Sequence, residues 1–130
     1  MIKNYNRIYF LGIGGIGMSS LAFYFINENK YVAGYDKVNS DITKSLSKNG
    51  AKIHFTDNYL SIPSQFLNQS ETLVVYTPAI SKFNKEYKYF KDNAEVAIVV
   101  NRYQTIIIFV FALFAFLPSH FGWSILGLRE

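Results

Sequence analysis

Arg7 to Leu11 (RIYFL) is a short apolar run that stops on Gly12-Ile13-Gly14-Gly15-Ile16-Gly17, and beyond it Met18, Leu21, Ala22, Phe25 and Ile26 recur at helical spacing. This succession restricts the fold more than any other feature of the chain. An apolar run ended by glycine fits a strand buried on both faces, as parallel strands are. The following spacing marks one buried face of a helix. Glycine between the two lets the chain reverse sharply.

The same alternation continues to about residue 100. Tyr31 to Tyr35 (YVAGY) reads as a second strand with Asp36 at its C-terminal end. Ser40 and Asp41 suit a helix cap, Ile42 and Leu46 form a buried stripe, and Asn49-Gly50 close that helix in the left-handed conformation. Ala51 to Phe55 gives a third strand, and a weak helix is expected around Tyr59 to Leu67, interrupted by Pro63. Thr72 to Tyr76 is the fourth strand, Thr77-Pro78-Ala79-Ile80 a loop, Asn84 to Asn93 a helix and Val96 to Val100 a fifth strand. Connections this long exclude hairpins and require right-handed crossovers. The expected class is α/β, a three-layer Rossmann-like sandwich with a mostly parallel five-stranded sheet. Ligands of such sheets sit at the strand C-termini, where the strand order reverses. Gly12 to Gly17, Asp36 and Thr77 to Ile80 are all expected on that edge.

Composition narrows the function. Half of the 130 residues are hydrophobic, enough for the core of one domain. The net charge is +4, and the spaced Lys82, Lys85, Lys88 and Lys91 read as the solvated face of a short helix, so no nucleic-acid partner is expected. There is no cysteine, which excludes disulfides, thiolate metal sites and cysteine catalysis. His54 reads as a packed side chain, His120 lacks companion ligands, and Ser19 has no histidine at triad spacing. No metal site and no catalytic residue are expected. The N-terminus runs straight into the first strand without a signal sequence, so a cytoplasmic location is expected.

The glycine loop matches G-x-G-x-x-G between a strand and a helix. Its backbone can approach phosphate oxygens closely, and the helix N-terminus offers free N–H groups and partial positive charge. Asp36 stands where a carboxylate can accept hydrogen bonds from ribose hydroxyls. Diphosphate-nucleotide binding is the expectation; the bland alternative is close helix–strand packing, with Asp36 capping a turn. A β-branched residue at Gly15 is expected to block backbone approach and to conflict with the loop's dihedral angles.

Ile8 to Ala22 (IYFLGIGGIGMSSLA), Gly34-Tyr35-Asp36, Gly50 to Phe55 (GAKIHF), Leu73 to Ile80 (LVVYTPAI) and Val99 to Gln104 (VVNRYQ) occur in an order that resembles the L-alanine-adding branch of the Mur ligase family. The resemblance implies that residues 1–104 form that family's N-terminal domain, which binds the UDP part of UDP-N-acetylmuramic acid or a related UDP-sugar. Carried over, it implies that Gly12, Gly14, Gly15, Ile16, Gly17 and Met18 present the diphosphate-binding backbone. Ser19 would add a hydroxyl, Asp36 would meet the uridine end, and Thr77, Ala79 and Ile80 would line the crevice. Thr56-Asp57 stands where many members have Gly-His.

In that family ATP and magnesium act through a later glycine-rich loop containing Gly-Lys-Thr/Ser. No glycine here is followed by lysine, so this chain carries no such cofactor site and is expected to be inactive alone. Residues 105–130 depart from the family. Ile106 to Leu117 is twelve apolar residues in a row, followed by Pro118-Ser119-His120 and Phe121 to Leu128 (FGWSILGL). A membrane span, a buried or partner-covered helix, and a frameshifted or degenerate end compete; twelve residues fall short of the ~20 a span needs, and the last reading is preferred. Self-association through this tail is expected in solution. A free-standing NAD(P)-binding Rossmann module, with Asp36 on the adenosine ribose, is the alternative function.

Overall fold

The computed structural model describes residues 5–68, 70–93 and 97–99, and it is an α/β structure built on one parallel sheet. In chain order the elements are β1 (Arg7–Leu11), α1 (Ile16–Asn27), β2 (Tyr31–Tyr35), α2 (Asp41–Lys48), β3 (Lys52–His54), β4 (Thr72–Tyr76), α3 (Lys85–Asn93) and β5 (Ala97–Val99). The sheet order is β3-β2-β1-β4-β5, with every adjacent pair parallel. Strands are laid down from β1 outward to β3, and the chain then returns to place β4 on the other side of β1. The order thus reverses between β1 and β4, and the loops leaving those two strands flank the switch point.

Side chains alternate between two cores. Ile8 and Phe10 of β1 join Val32, Leu73 and Val75 beneath Met18, Leu21 and Leu46 of α1 and α2. Tyr9 and Leu11 face the other way, with Ala33 and Val74, against Ile62, Phe66 and Phe90. A strand with both faces covered must be apolar along its length, which is why β1, β2 and β4 read so clearly as uninterrupted runs. Gly50 closes α2 with φ +109°, as the Asn-Gly ending requires. Ser40 and Thr43 form a reciprocal capping box at its start.

Two expectations need adjustment. The third strand is confined to Lys52–His54, shorter than its expected run, while Ala97–Val99, the described part of the fifth, is a strand as expected. In place of a weak helix near residue 60 stand two 3₁₀ turns, Tyr59–Ser61 and Ser64–Phe66. Pro63 has no N–H to donate and holds Ile62 extended (φ −67°, ψ 123°), so a continuous helix cannot pass through. Lys82 precedes α3, whereas Lys85, Lys88 and Lys91 are exposed along it. The apolar tail at 105–130 lies outside the described residues. Among the described residues no helix is long and apolar enough to cross a membrane.

Candidate functional site at the strand C-termini

The glycine loop begins with a conformation that L side chains avoid. Gly12 has φ +88°, and the N–H groups of Gly12 and Ile13 both donate to the Tyr35 carbonyl, at 2.8 and 3.0 Å. This ties the end of β1 to the end of β2 and drives Ile13 fully into the core. Gly15 then serves as the N-cap of α1 with φ −61° and ψ 151°. That geometry is open to any L residue, and an added Cβ would meet nothing closer than 3.5 Å. The expected dihedral conflict at Gly15 is therefore absent; the strained position is Gly12.

No side chain caps α1, and its first turn contains no acidic residue. The helical ladder starts with Ser19 N–H on the Gly15 carbonyl at 2.7 Å. The amides of Ile16, Gly17 and Met18 precede that ladder and carry the positive end of the helix dipole. Ile16 projects into solvent, whereas Met18 is buried. Ser19 is also buried, and its hydroxyl donates to the Ile16 carbonyl at 3.0 Å, inside its own helix.

Asp36 lies against this loop. Its Oδ2 accepts from Gly14 N–H at 2.7 Å and its Oδ1 from Val38 N–H at 2.9 Å. Gly34, two residues earlier, is required by packing: a Cβ there would stand 2.6 Å from the Phe10 carbonyl oxygen. On the other side of the switch, Ile80 N–H donates to the Thr77 carbonyl and Ala79 N–H to Thr77 Oγ1, which makes Thr77 to Ile80 a tight turn. Ala79 is exposed and Thr77 half-buried, while Ile80 leans on the core behind the sheet. The parallel register puts Leu11, Tyr35 and Tyr76 side by side, so the turns that follow them share one edge.

A second polar cluster escaped the sequence reading. Glu86, in the first turn of α3, is completely buried, with Oε2 accepting from Tyr9 Oη–H at 2.6 Å and Oε1 paired with His54 Nε2 at 2.5 Å. Burial, reinforced by the Glu86 charge and hydrogen bond, holds the Tyr9 phenol far above its ordinary pKa. Burial also raises Tyr35, helped by Asp57, Glu86 and Asp36. Asp57 accepts from the Lys85 and Glu86 amides, and Asn84 Oδ1 accepts from Tyr87 N–H at 2.7 Å, so α3 is capped twice. His54 is a packed, hydrogen-bonded side chain, as expected. Among the described residues no three His, Cys, Asp or Glu side chains are grouped to hold a metal ion.

Comparison with known proteins identifies this architecture. The sequence model described as Mur ligase family, catalytic domain, matches residues 7–106. A UDP-N-acetylmuramate–L-alanine ligase of Parabacteroides distasonis is 48% identical over 90 residues, covering 69% of this chain and 20% of that protein. The ligase of the same name from Cytophaga hutchinsonii is 42% identical over 92 residues, covering 71% and 20%. In the crystal structure of the UDP-N-acetylmuramate–alanine ligase from Thermotoga maritima the same fold recurs with a TM-score of 0.60 and 29% identity, over 72% of this chain and 20% of that one. The chain spans about a fifth of the length of the relatives it matches. Its parallel sheet, its glycine loop at the switch point and the family match across both are of one piece: the chain belongs to the Mur ligase family.

Proposed function

We propose that this chain is the UDP-sugar-recognising N-terminal domain of a ligase that joins L-alanine to UDP-N-acetylmuramic acid in peptidoglycan synthesis. The observation that carries this reading is the 48% identity over 90 residues to a protein named for that reaction. The site chemistry supports it. Backbone N–H groups of Ile16, Gly17 and Met18, at a helix start without an acidic first turn, suit a diphosphate, while Gly15 N–H donates to the Gly12 carbonyl and shapes the loop. Asp36, Thr77, Ala79 and Ile80 border the same crevice, toward the nucleoside end. Amide formation through an acyl phosphate needs ATP and magnesium held by a Gly-Lys-Thr/Ser loop; no glycine of this chain precedes a lysine, so no step of that chemistry is assigned to these residues. The domain recognises one substrate and leaves activation to the remainder of a full-length ligase.

The competing NAD(P) module would place the Asp36 carboxylate on an adenosine ribose. Asp36 accepts from Gly14 and Val38 N–H in either reading, and what favours the UDP reading is the identity to the ligase. Calorimetric titration of the 130-residue chain with UDP, UDP-N-acetylmuramic acid, NAD and ATP tests the choice. UDP and the UDP-sugar are expected to bind in preference to the others. Saturable NAD binding without a UDP response would overturn the proposal.

A further inference from the structure

The two helices nearest the switch point are seated in different ways. α1 buries Met18, Leu21 and Ala22, whereas the side chains that α3 buries are Phe90 and the carboxylate Glu86. Glu86 and Phe90 lie one helical turn apart on the same face, and both meet Tyr9. The Tyr9 ring is 4.9 Å from that of Phe90, and its hydroxyl donates to Glu86 at 2.6 Å. The other Glu86 oxygen holds His54 at the end of β3, and Asp57 in the following loop accepts from the Lys85 and Glu86 amides. The chain enters α3 from β4, yet the groups that anchor its first turn belong to β1 and to the end of β3, across the switch point. The connection from Thr77 to Asn84, which includes the turn bordering the crevice, is therefore tied down at its far end by Glu86.

We propose that the segment from Thr77 through α3 is a hinged flap beside the crevice and that Glu86 is the latch that holds it shut. A helix as short as Lys85–Asn93 has little stability of its own in water, so α3 depends on what it packs against. Two opposing terms meet at the latch. Closing withdraws a carboxylate completely from water, and its partners are a phenol and an imidazole rather than a lysine or arginine. Opening returns that charge to solvent and gives up both hydrogen bonds together with the ring contact of Phe90. Such opposition brings the two states close in free energy, as a movable element requires. The core under α1 and α2, built on Ile8, Phe10 and Val75, makes no use of the latch and stays packed when it opens. The ligand half of the proposal rests on the UDP reading: a nucleotide in the crevice meets the Thr77–Ile80 turn and favours the closed flap.

The experiment is amide hydrogen exchange by NMR in graded urea, on the full chain and on Glu86→Gln and Glu86→Ala, each with and without UDP. In the parent, the Lys88, Tyr89 and Phe90 amides are expected to exchange about tenfold or more faster than those of Tyr9 and Phe10, through one opening with a small urea dependence. Glu86→Ala should accelerate α3 exchange by a further tenfold or more, on the order of the hydrogen bonds lost. Glu86→Gln keeps an oxygen for Tyr9 and removes the charge, so α3 should exchange no faster than in the parent. Should Glu86→Ala fail to fold, the parent and Glu86→Gln carry the test. Exchange of the α3 amides in step with Tyr9 and Phe10 would overturn the flap, and α3 exchange faster in Glu86→Gln than in the parent would overturn the latch. Saturating UDP should slow α3 exchange; UDP that binds by calorimetry and leaves α3 unchanged overturns the coupling to ligand. A parent chain that does not bind UDP overturns the UDP reading, while exchange in the three chains still decides the latch.

Discussion

Gly34 and Gly15 are both glycines of the ligand edge, yet substitution should separate their roles. Gly34 faces the backbone of β1, where the Phe10 carbonyl would lie 2.6 Å from an added Cβ and cannot rotate away. Gly34→Ala is therefore expected to cost about 1–3 kcal/mol, as overpacking does, read as a lower urea midpoint. Gly15 is exposed, has an ordinary φ, and leaves its Cβ in van der Waals contact only. Gly15→Val should fold with a urea midpoint close to the parent's. Its branched side chain would stand beside the Ile16 amide, so UDP affinity is expected to fall by about tenfold or more, the scale of one lost charge-assisted contact. A variant that binds UDP as the parent does would show that the loop is not the diphosphate site.

At the scale of elements, α3 is where the tertiary structure adds most to the sequence. Asp57 reaches its first turn from the loop after β3 and accepts from two of its amides, so Asp57→Ala should cost about 1 kcal/mol, as the loss of a helix cap does. Glu86→Ala should cost more, about 2–4 kcal/mol, because the Tyr9 hydroxyl and His54 would both be left in the core without their shared acceptor. Chemical denaturation of the two variants checks the order, and an Asp57 effect larger than the Glu86 effect would contradict it. The strands β1, β2 and β4 were legible residue by residue, because burial on both faces writes itself as a continuous apolar run. Pro63 marked a break but not the pair of 3₁₀ turns around it. Glu86 was invisible: Lys-Glu-Tyr-Lys reads as a solvated helix start, and its partners lie 77 and 32 residues away, brought together only by the strand order. At the site, Asp36 was legible as a residue at a strand end but not as the acceptor of Gly14 N–H, 22 residues earlier, because that pairing depends on the parallel packing of β1 beside β2. Asp57 departs from the resemblance at Thr56-Asp57, and its capping role needed the fold to be seen.

For the molecule as a whole, the tyrosines set the alkaline limit. Burial is the main cause that raises Tyr9, Tyr35 and Tyr76, so each phenol binds its proton more tightly in the folded chain than in the unfolded one. Their contribution to stability is complete below the unfolded value of about pH 10 and declines as pH rises beyond it. Thermal unfolding is expected to hold steady up to that pH and then fall, with tyrosinate absorbance and loss of far-UV circular dichroism rising together. Titration of all ten tyrosines before any loss of dichroism would contradict the assignment of a buried Tyr9. The position of β1 has a different consequence, one of timing. It is made first, yet it occupies the middle of the sheet, between β2 and β4. During synthesis β2 emerges soon after it, whereas β4 appears only after α2, β3 and both 3₁₀ turns. At cellular elongation rates that interval is on the order of seconds. Throughout it, the nascent chain holds an apolar strand with one row of unsatisfied backbone groups, a template for pairing with other chains. Pausing between residues 36 and 71 would prolong that exposure, so codon choice in this stretch should govern how much of the protein escapes aggregation on the ribosome.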